Sequence, residues 1–138
     1  MNRKKKFIAS NGFILNKKGE LLLLKRSLDD KAFPGNWELP GGGVDLGQTP
    51  QQSLIREIKE ECGLNINVLD YLITSTFSIG EDAEVSEETF LCEVIDNSFE
   101  VTISNEHSEY KWVDVENIEV ELSDFIKRVI DSAKKALH

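Results

Sequence analysis

Apolar and polar positions change their rhythm several times along the chain, and each change marks an element. From Phe7 to Leu15 apolar and small residues dominate, which reads as a strand. Asn16-Lys17-Lys18-Gly19 follows as a turn, with Gly19 suited to positive φ. Glu20 to Lys25 encloses Leu21-Leu22-Leu23-Leu24, an unbroken run that fits a strand buried on both faces. The two strands and the turn make a β-hairpin. Ser27 to Asn36 is polar and punctuated by Pro34-Gly35, a loop. Trp37 to Leu39 is a short extended piece. Pro40-Gly41-Gly42-Gly43 then predicts an irregular turn, where the backbone can approach a ligand closely.

Helical spacing begins at Thr49. Thr49 serves as N-cap, Pro50 as the first helical residue and Gln52 as the third, a capping box. Leu54, Ile55 and Ile58 form its apolar stripe, and Gly63 closes it. Val68 to Ser78, Glu87 to Ile95, Val101 to Ile103 and Tyr110 to Val113 read as strands, with an acidic loop from Ile79 to Ser86. Ser123 caps a last helix whose Phe125, Ile126, Val129, Ile130, Ala133 and Leu137 share one face. No repeat, linker or low-complexity tract interrupts the 138 residues, so a single domain, 1–138, is expected. The order of elements predicts the α+β class: a mixed β-sheet between helices, an αβα sandwich.

Composition narrows the partners. The formal net charge of -9 argues against binding a nucleic-acid polymer through its phosphates, which attract basic surfaces. A small anionic ligand remains compatible, because a local cation or basic side chain can reverse the sign inside a cleft. Cys62 and Cys92 lack metal-binding spacing and read as reduced thiols. No apolar run is long enough to span a bilayer, and the basic start Arg3-Lys4-Lys5-Lys6 precedes a segment too polar for a signal peptide. A cytoplasmic protein without membrane contact, monomer or homodimer, is expected.

The chemistry concentrates on the first helix. Glu57, Glu60 and Glu61 stand at i, i+3 and i+4, so three carboxylates project from one face. Alone, such a cluster would read as a solvated acidic face. Its neighbours change that reading. Arg56 precedes Glu60 by four residues, Gly63 ends the helix at once, and the glycine turn lies where its carbonyls can join the same cation. Carboxylates and carbonyls are hard oxygen ligands suited to Mg²⁺, with Mn²⁺ as a substitute, rather than to zinc.

The segment from Gly42 to Leu64 resembles the Nudix box, G-x5-E-x7-R-E-U-x-E-E-x-G-U with U aliphatic. Here it runs Gly42, five residues, Gln48, seven residues, then Arg56-Glu57-Ile58-Lys59-Glu60-Glu61-Cys62-Gly63-Leu64. Leu21 to Arg26, Trp37 to Gly42 and Glu106 to Val113 resemble the flanking segments of the family. The resemblance implies the Nudix fold and a hydrolase of MutT type. It would cleave a phosphoanhydride in a small nucleoside diphosphate derivative, with Glu57, Glu60, Glu61 and a backbone carbonyl of Gly41 or Gly42 holding the metal. A helix glutamate, Glu57 or Glu60, or else Glu106 further along, would act as general base. Arg56 would orient carboxylates. Arg26 would contact substrate phosphates, unless it merely ends a strand in solvent. The departure is Gln48, where the family has glutamate; it keeps hydrogen-bonding capacity toward Arg56 but no charge. Asp45 could replace that charge. The same departure admits an alternative, a non-catalytic domain that senses a nucleotide or sugar-nucleotide.

The substrate is narrowed by elimination. The proline of many ADP-ribose hydrolases would fall near Ile79 and Gly80, and the tyrosine of dinucleoside polyphosphate hydrolases near Glu81 and Asp82; neither is there. No coenzyme A or NADH signature is visible. Nucleoside triphosphates, oxidised ones included, remain the leading class. Trp37, Phe33 and Phe77 suit either base stacking or a core. His107 reads as a surface residue.

Overall fold

The computed structural model describes residues 4–29, 33–96 and 100–137. Strand β1 (Lys5–Leu15) turns through Asn16–Glu20 into β2 (Leu21–Arg26). The turn holds because the Asn16 side-chain oxygen accepts from the amides of Lys18 and Glu20, while Gly19 takes φ 77°. Two short strands, β3 (Trp37–Glu38) and β4 (Gly41–Gly43), lead to helix α1 (Pro50–Cys62). Then come β5 (Ile66–Ile79), β6 (Ala83–Val94), β7 (His107–Val113) and α2 (Asp124–Leu137).

Pairing explains the shape of the sheet. β1 runs parallel to β6 over its whole length, and β6 continues antiparallel into β5. β2 pairs over its whole length with β7. A strand has only two hydrogen-bonding edges. The other edges of β1 and β2 therefore meet only near the hairpin, at Leu15 and Leu21, and then diverge. The fork between them is filled by residues 37–43: β3 pairs Leu24 and Lys25 of β2, and β4 pairs Ala9 to Asn11 of β1. The glycines expected to form an irregular turn are thus a strand. At Gly41 the reason is packing against protein. A Cβ on Gly41 would lie 2.1 Å from the Ser10 carbonyl oxygen.

The leucine run is buried on both faces, as its pattern implies. Leu22 and Leu24 join Ile14, Phe90 and Cys92 beneath Leu54, Ile58 and Cys62 of α1. Leu21 and Leu23 join Phe13 and Leu91 beneath Ile126, Val129, Ile130 and Ala133 of α2. The sheet lies between the two helices, the expected αβα layering. α1 has its capping box: the Gln52 amide donates to Thr49 Oγ1 at 3.1 Å and the Thr49 amide to Gln52 Oε1 at 3.0 Å. Gly63 closes it at φ 71°.

Three expectations need correcting. Ile55 and Leu137 are exposed and belong to neither core. The loop from Ile79 to Ser86 shrinks to Gly80–Asp82, because β5 and β6 zip together on either side of it. Val101 to Ile103 is not a strand. Val101 plugs the α1 core, and the Thr102 amide caps the end of α1 by donating to the Cys62 carbonyl at 3.0 Å. Cys62 and Cys92 are free and buried, and burial pushes both thiols up to about 12. No helix among the described residues is long and apolar enough to cross a membrane.

Candidate active site

α1 presents its carboxylates toward the fork filled by residues 37–43. Arg56 sits at the outer side and gathers acids. Its Nη1 donates to Glu60 Oε2 at 3.0 Å and its Nη2 to Glu57 Oε1 at 3.2 Å. Nη2 also pairs with Asp45. Gln48 does not take part; its Oε1 accepts from the Ser53 hydroxyl at 2.8 Å. Asp45 therefore supplies the charge beside Arg56 that a glutamine at 48 lacks.

Glu57 and Glu61 form the inner pair. Glu57 lies against β4, where a Cβ on Gly42 would come within 3.0 Å of its carboxyl carbon. Glu61 is raised from 4.5 to about 7, first by burial, then by the charge of Glu57 and a hydrogen bond between the two carboxyls. Glu106 adds to the rise and His107 opposes it. One Glu61 oxygen, Oε2, is buried with no hydrogen-bond partner. Glu60 stands apart, with its side chain 59% exposed on Arg56. Among the described residues no three acidic, His or Cys side chains converge on one point as they stand. The inner pair nevertheless fits a divalent cation: two crowded carboxyls share a hydrogen bond, one oxygen is orphaned, and a glycine strand leaves room alongside.

Of the other expected residues, Glu106 is exposed but within electrostatic reach of Glu61. Arg26 is held by Glu38, its Nη1 donating at 3.0 Å to Oε2. Gly41 packs on β1. His107 is buried rather than on the surface, with Nε2 2.7 Å from Glu38 Oε1. β7 brings it there by pairing with Arg26 of β2. Glu38 thus bridges Arg26 and His107, and nothing in the spacing of the chain announced it.

A cleft of about 540 Å³ opens on the α2 side of the sheet, next to this bridge. Its floor is Asn11, Glu87 and Ser75, and its walls include Trp37, Phe77 and Phe125. Phe33 lies at its rim, so all three aromatic candidates border one cleft. Glu87 is raised by burial and by the charge of Glu38, and lowered in part by a hydrogen bond from Asn11. Asn11 and Glu87 were missed from sequence, although a readable signal existed: both are polar interruptions at positions whose strand neighbours Phe13 and Leu91 face the core.

A family model described as the NUDIX domain matches residues 5–132. The nucleoside triphosphatase NudI of Escherichia coli O139:H28 (strain E24377A / ETEC) is 31% identical over 113 residues, covering 76% of this chain and 80% of that protein. NudI of Shigella flexneri matches equally well. The crystal structure of the MutT protein from Methanosarcina mazei Go1 shares 28% identity and a TM-score of 0.82, over 99% of both chains. A C. elegans Ap4A hydrolase is alike in fold, with a TM-score of 0.77 at 24% identity over 95% of this chain and 97% of its own. The chain belongs to the Nudix family. Within it, the protein is an enzyme, a nucleotide pyrophosphohydrolase.

Proposed function

We propose that the protein hydrolyses a phosphoanhydride of a nucleoside triphosphate with the help of Mg²⁺ or Mn²⁺. The observation that carries this reading is the buried, partnerless oxygen of Glu61 beside Glu57 and the Gly42 strand. NudI and MutT relatives support it, the former by its name as a nucleoside triphosphatase. Glu57, Glu61 and a backbone carbonyl of Gly42 would hold the ion, and Glu60 would join on leaving Arg56. When bound, a divalent ion neutralises phosphate charge and polarises the phosphorus centre.

The chain's own residues do the rest. Arg56, fixed by Asp45, holds Glu57 in place from the solvent side. Glu106 is the residue for accepting the proton of the attacking water, because it lies within electrostatic reach of Glu61 from the turn before β7 and is not tied into the Arg56 cluster. The Glu38–His107–Arg26 bridge joins the carboxylate pair to the cleft, so a triphosphate with its phosphates at Glu57 and Glu61 directs its nucleoside between Trp37 and Phe77. Arg26 lines that cleft and can meet phosphate oxygens at its mouth.

The test is a nucleotide panel assayed for phosphate and pyrophosphate in Mg²⁺. At least one nucleoside triphosphate should be turned over, and Glu61→Gln or Glu60→Gln should abolish this, by more than about a hundredfold. Tight binding across the panel without release of either product would instead identify a nucleotide sensor.

A further inference from the structure

The alternation of β1 and β6 sets Asn11 and Phe13 on the α2 face, opposite Thr89 and Leu91. Glu87 lies on the same face one pleat further along, opposite Ser75 of β5. α2 covers the Phe13–Leu91 end of this face and leaves the Asn11–Glu87 end as the floor of the cleft. A half-buried carboxyl on an otherwise apolar and aromatic surface is costly unless a ligand or neighbour satisfies it.

The neighbours satisfy half of it. The Thr89 hydroxyl donates to Asn11 Oδ1, which turns the Asn11 amide so that Nδ2 donates to Glu87 Oε1 at 2.6 Å. That donor favours the ionised carboxylate, against the burial and the Glu38 charge that raise Glu87, and it fixes the plane of the group. Glu87 Oε2 has no hydrogen-bond partner among the described residues. The floor of the cleft is therefore an oriented acceptor pair: one oxygen open, the other with a lone pair to spare.

We propose that Glu87 selects the nucleobase by accepting hydrogen bonds from an edge with two adjacent N–H donors, which among the common bases means guanine. This rests on the reading of the cleft as the nucleoside site. An ionised carboxylate accepts only. Guanine offers its ring N1–H and its exocyclic amine side by side. Adenine and cytosine place an acceptor nitrogen beside the amine, so a lone pair would face a carboxylate oxygen. Uracil and thymine set one N–H between two carbonyls. A mismatch of this kind leaves a buried polar group unpaired, which discriminates far better than shape alone. A glutamine at the same place would offer one acceptor and one donor, the complement of adenine or cytosine.

The experiment measures equilibrium binding of the non-hydrolysable α,β-methylene analogues of GTP, ATP, CTP and UTP in Mg²⁺. The full chain is compared with Glu87→Gln and Glu87→Ala, each checked for folding by its thermal melt. Wild type should bind the guanosine analogue at least tenfold more tightly than the adenosine one. Glu87→Gln should reverse or erase that ratio toward adenosine and cytidine, and Glu87→Ala should erase it without reversal. Equal affinities in wild type, a guanosine preference that survives Glu87→Gln, or no binding of any analogue would each overturn the proposal. Turnover of the natural triphosphates, measured separately, decides the hydrolase reading. A guanosine ratio that depends on Glu87 stands whether or not turnover is seen.

Discussion

Glu61 carries its proton to about pH 7 in the folded protein, against an ordinary value of 4.5, because it is buried against Glu57. Between those pH values the folded state binds more protons than the unfolded chain, so this group's contribution to stability is complete below about pH 4.5 and is lost as pH rises toward 7. The carboxyl is only partly buried, and allowance for solvent screening leaves roughly 1 kcal/mol. Thermal melts of wild type should therefore decline across that window more steeply than those of Glu61→Gln. Added Mn²⁺ should restore the wild type at pH 7 and leave Glu61→Gln unmoved; melts of the two proteins that run parallel with and without the ion would rule this out. A second prediction concerns the outer side of the site. If Asp45 holds Arg56 where Gln48 does not, Asp45→Asn should slow turnover about tenfold, and Gln48→Glu added to it should recover most of the loss. Steady-state rates of the single and double variants read the outcome. The box itself was legible because a helix converts sequence spacing directly into a shared face. The division of labour between Asp45 and Gln48 was not, since it depends on side-chain directions in a loop. Nor was the burial of His107, which follows from a strand pairing across 81 positions of chain, Arg26 with His107.

At the scale of elements, local chemistry was readable and long-range pairing was not. Both helices begin at their expected caps, because a cap is satisfied within one turn; at α2 the Ile126 amide donates to Ser123 Oγ at 3.3 Å. The hairpin of β1 and β2 follows from Asn16 and Gly19 in the same way. The parallel match of β1 with β6 left no trace, since an alternating strand looks the same whichever neighbour it meets. The glycine segment was expected as an irregular turn for this reason: its pairing with the backbone of β1 is a long-range contact that no local signal announces. This supplies a paired test. Gly41→Ala should destabilise the protein by about 3 kcal/mol, because its Cβ would overlap the Ser10 carbonyl and push β4 off β1. Gly43→Ala, whose Cβ would meet nothing within 4 Å, should be neutral to within about 0.5 kcal/mol. Urea titrations of both variants measure the difference. Equal losses would mean that the segment needs glycine for flexibility rather than for close approach.

The whole molecule is acidic, with a formal charge of -9, and its proposed ligand is an anion. Composition argues against a nucleic-acid polymer on this ground, and the layered fold was legible from the order of strands and helices. What composition could not show is where the sign reverses. In the proposed site the problem is confined to one place, since Glu57, Glu61 and Glu106 lie near the position proposed for the phosphates while Arg26 and Arg56 are already engaged by acids. Two salt dependences of opposite sign follow. With a chelator present, repulsion dominates, so raising the salt from about 50 to about 500 mM should strengthen the weak binding of a methylene triphosphate by screening it. With Mg²⁺ present, attraction dominates, so the same increase should weaken binding. A basic groove would instead lose affinity with salt under both conditions. Calorimetric titration at the two salt concentrations, with and without the chelator, distinguishes these cases. A decrease in both would show that side chains rather than a bound ion carry the positive charge of this site.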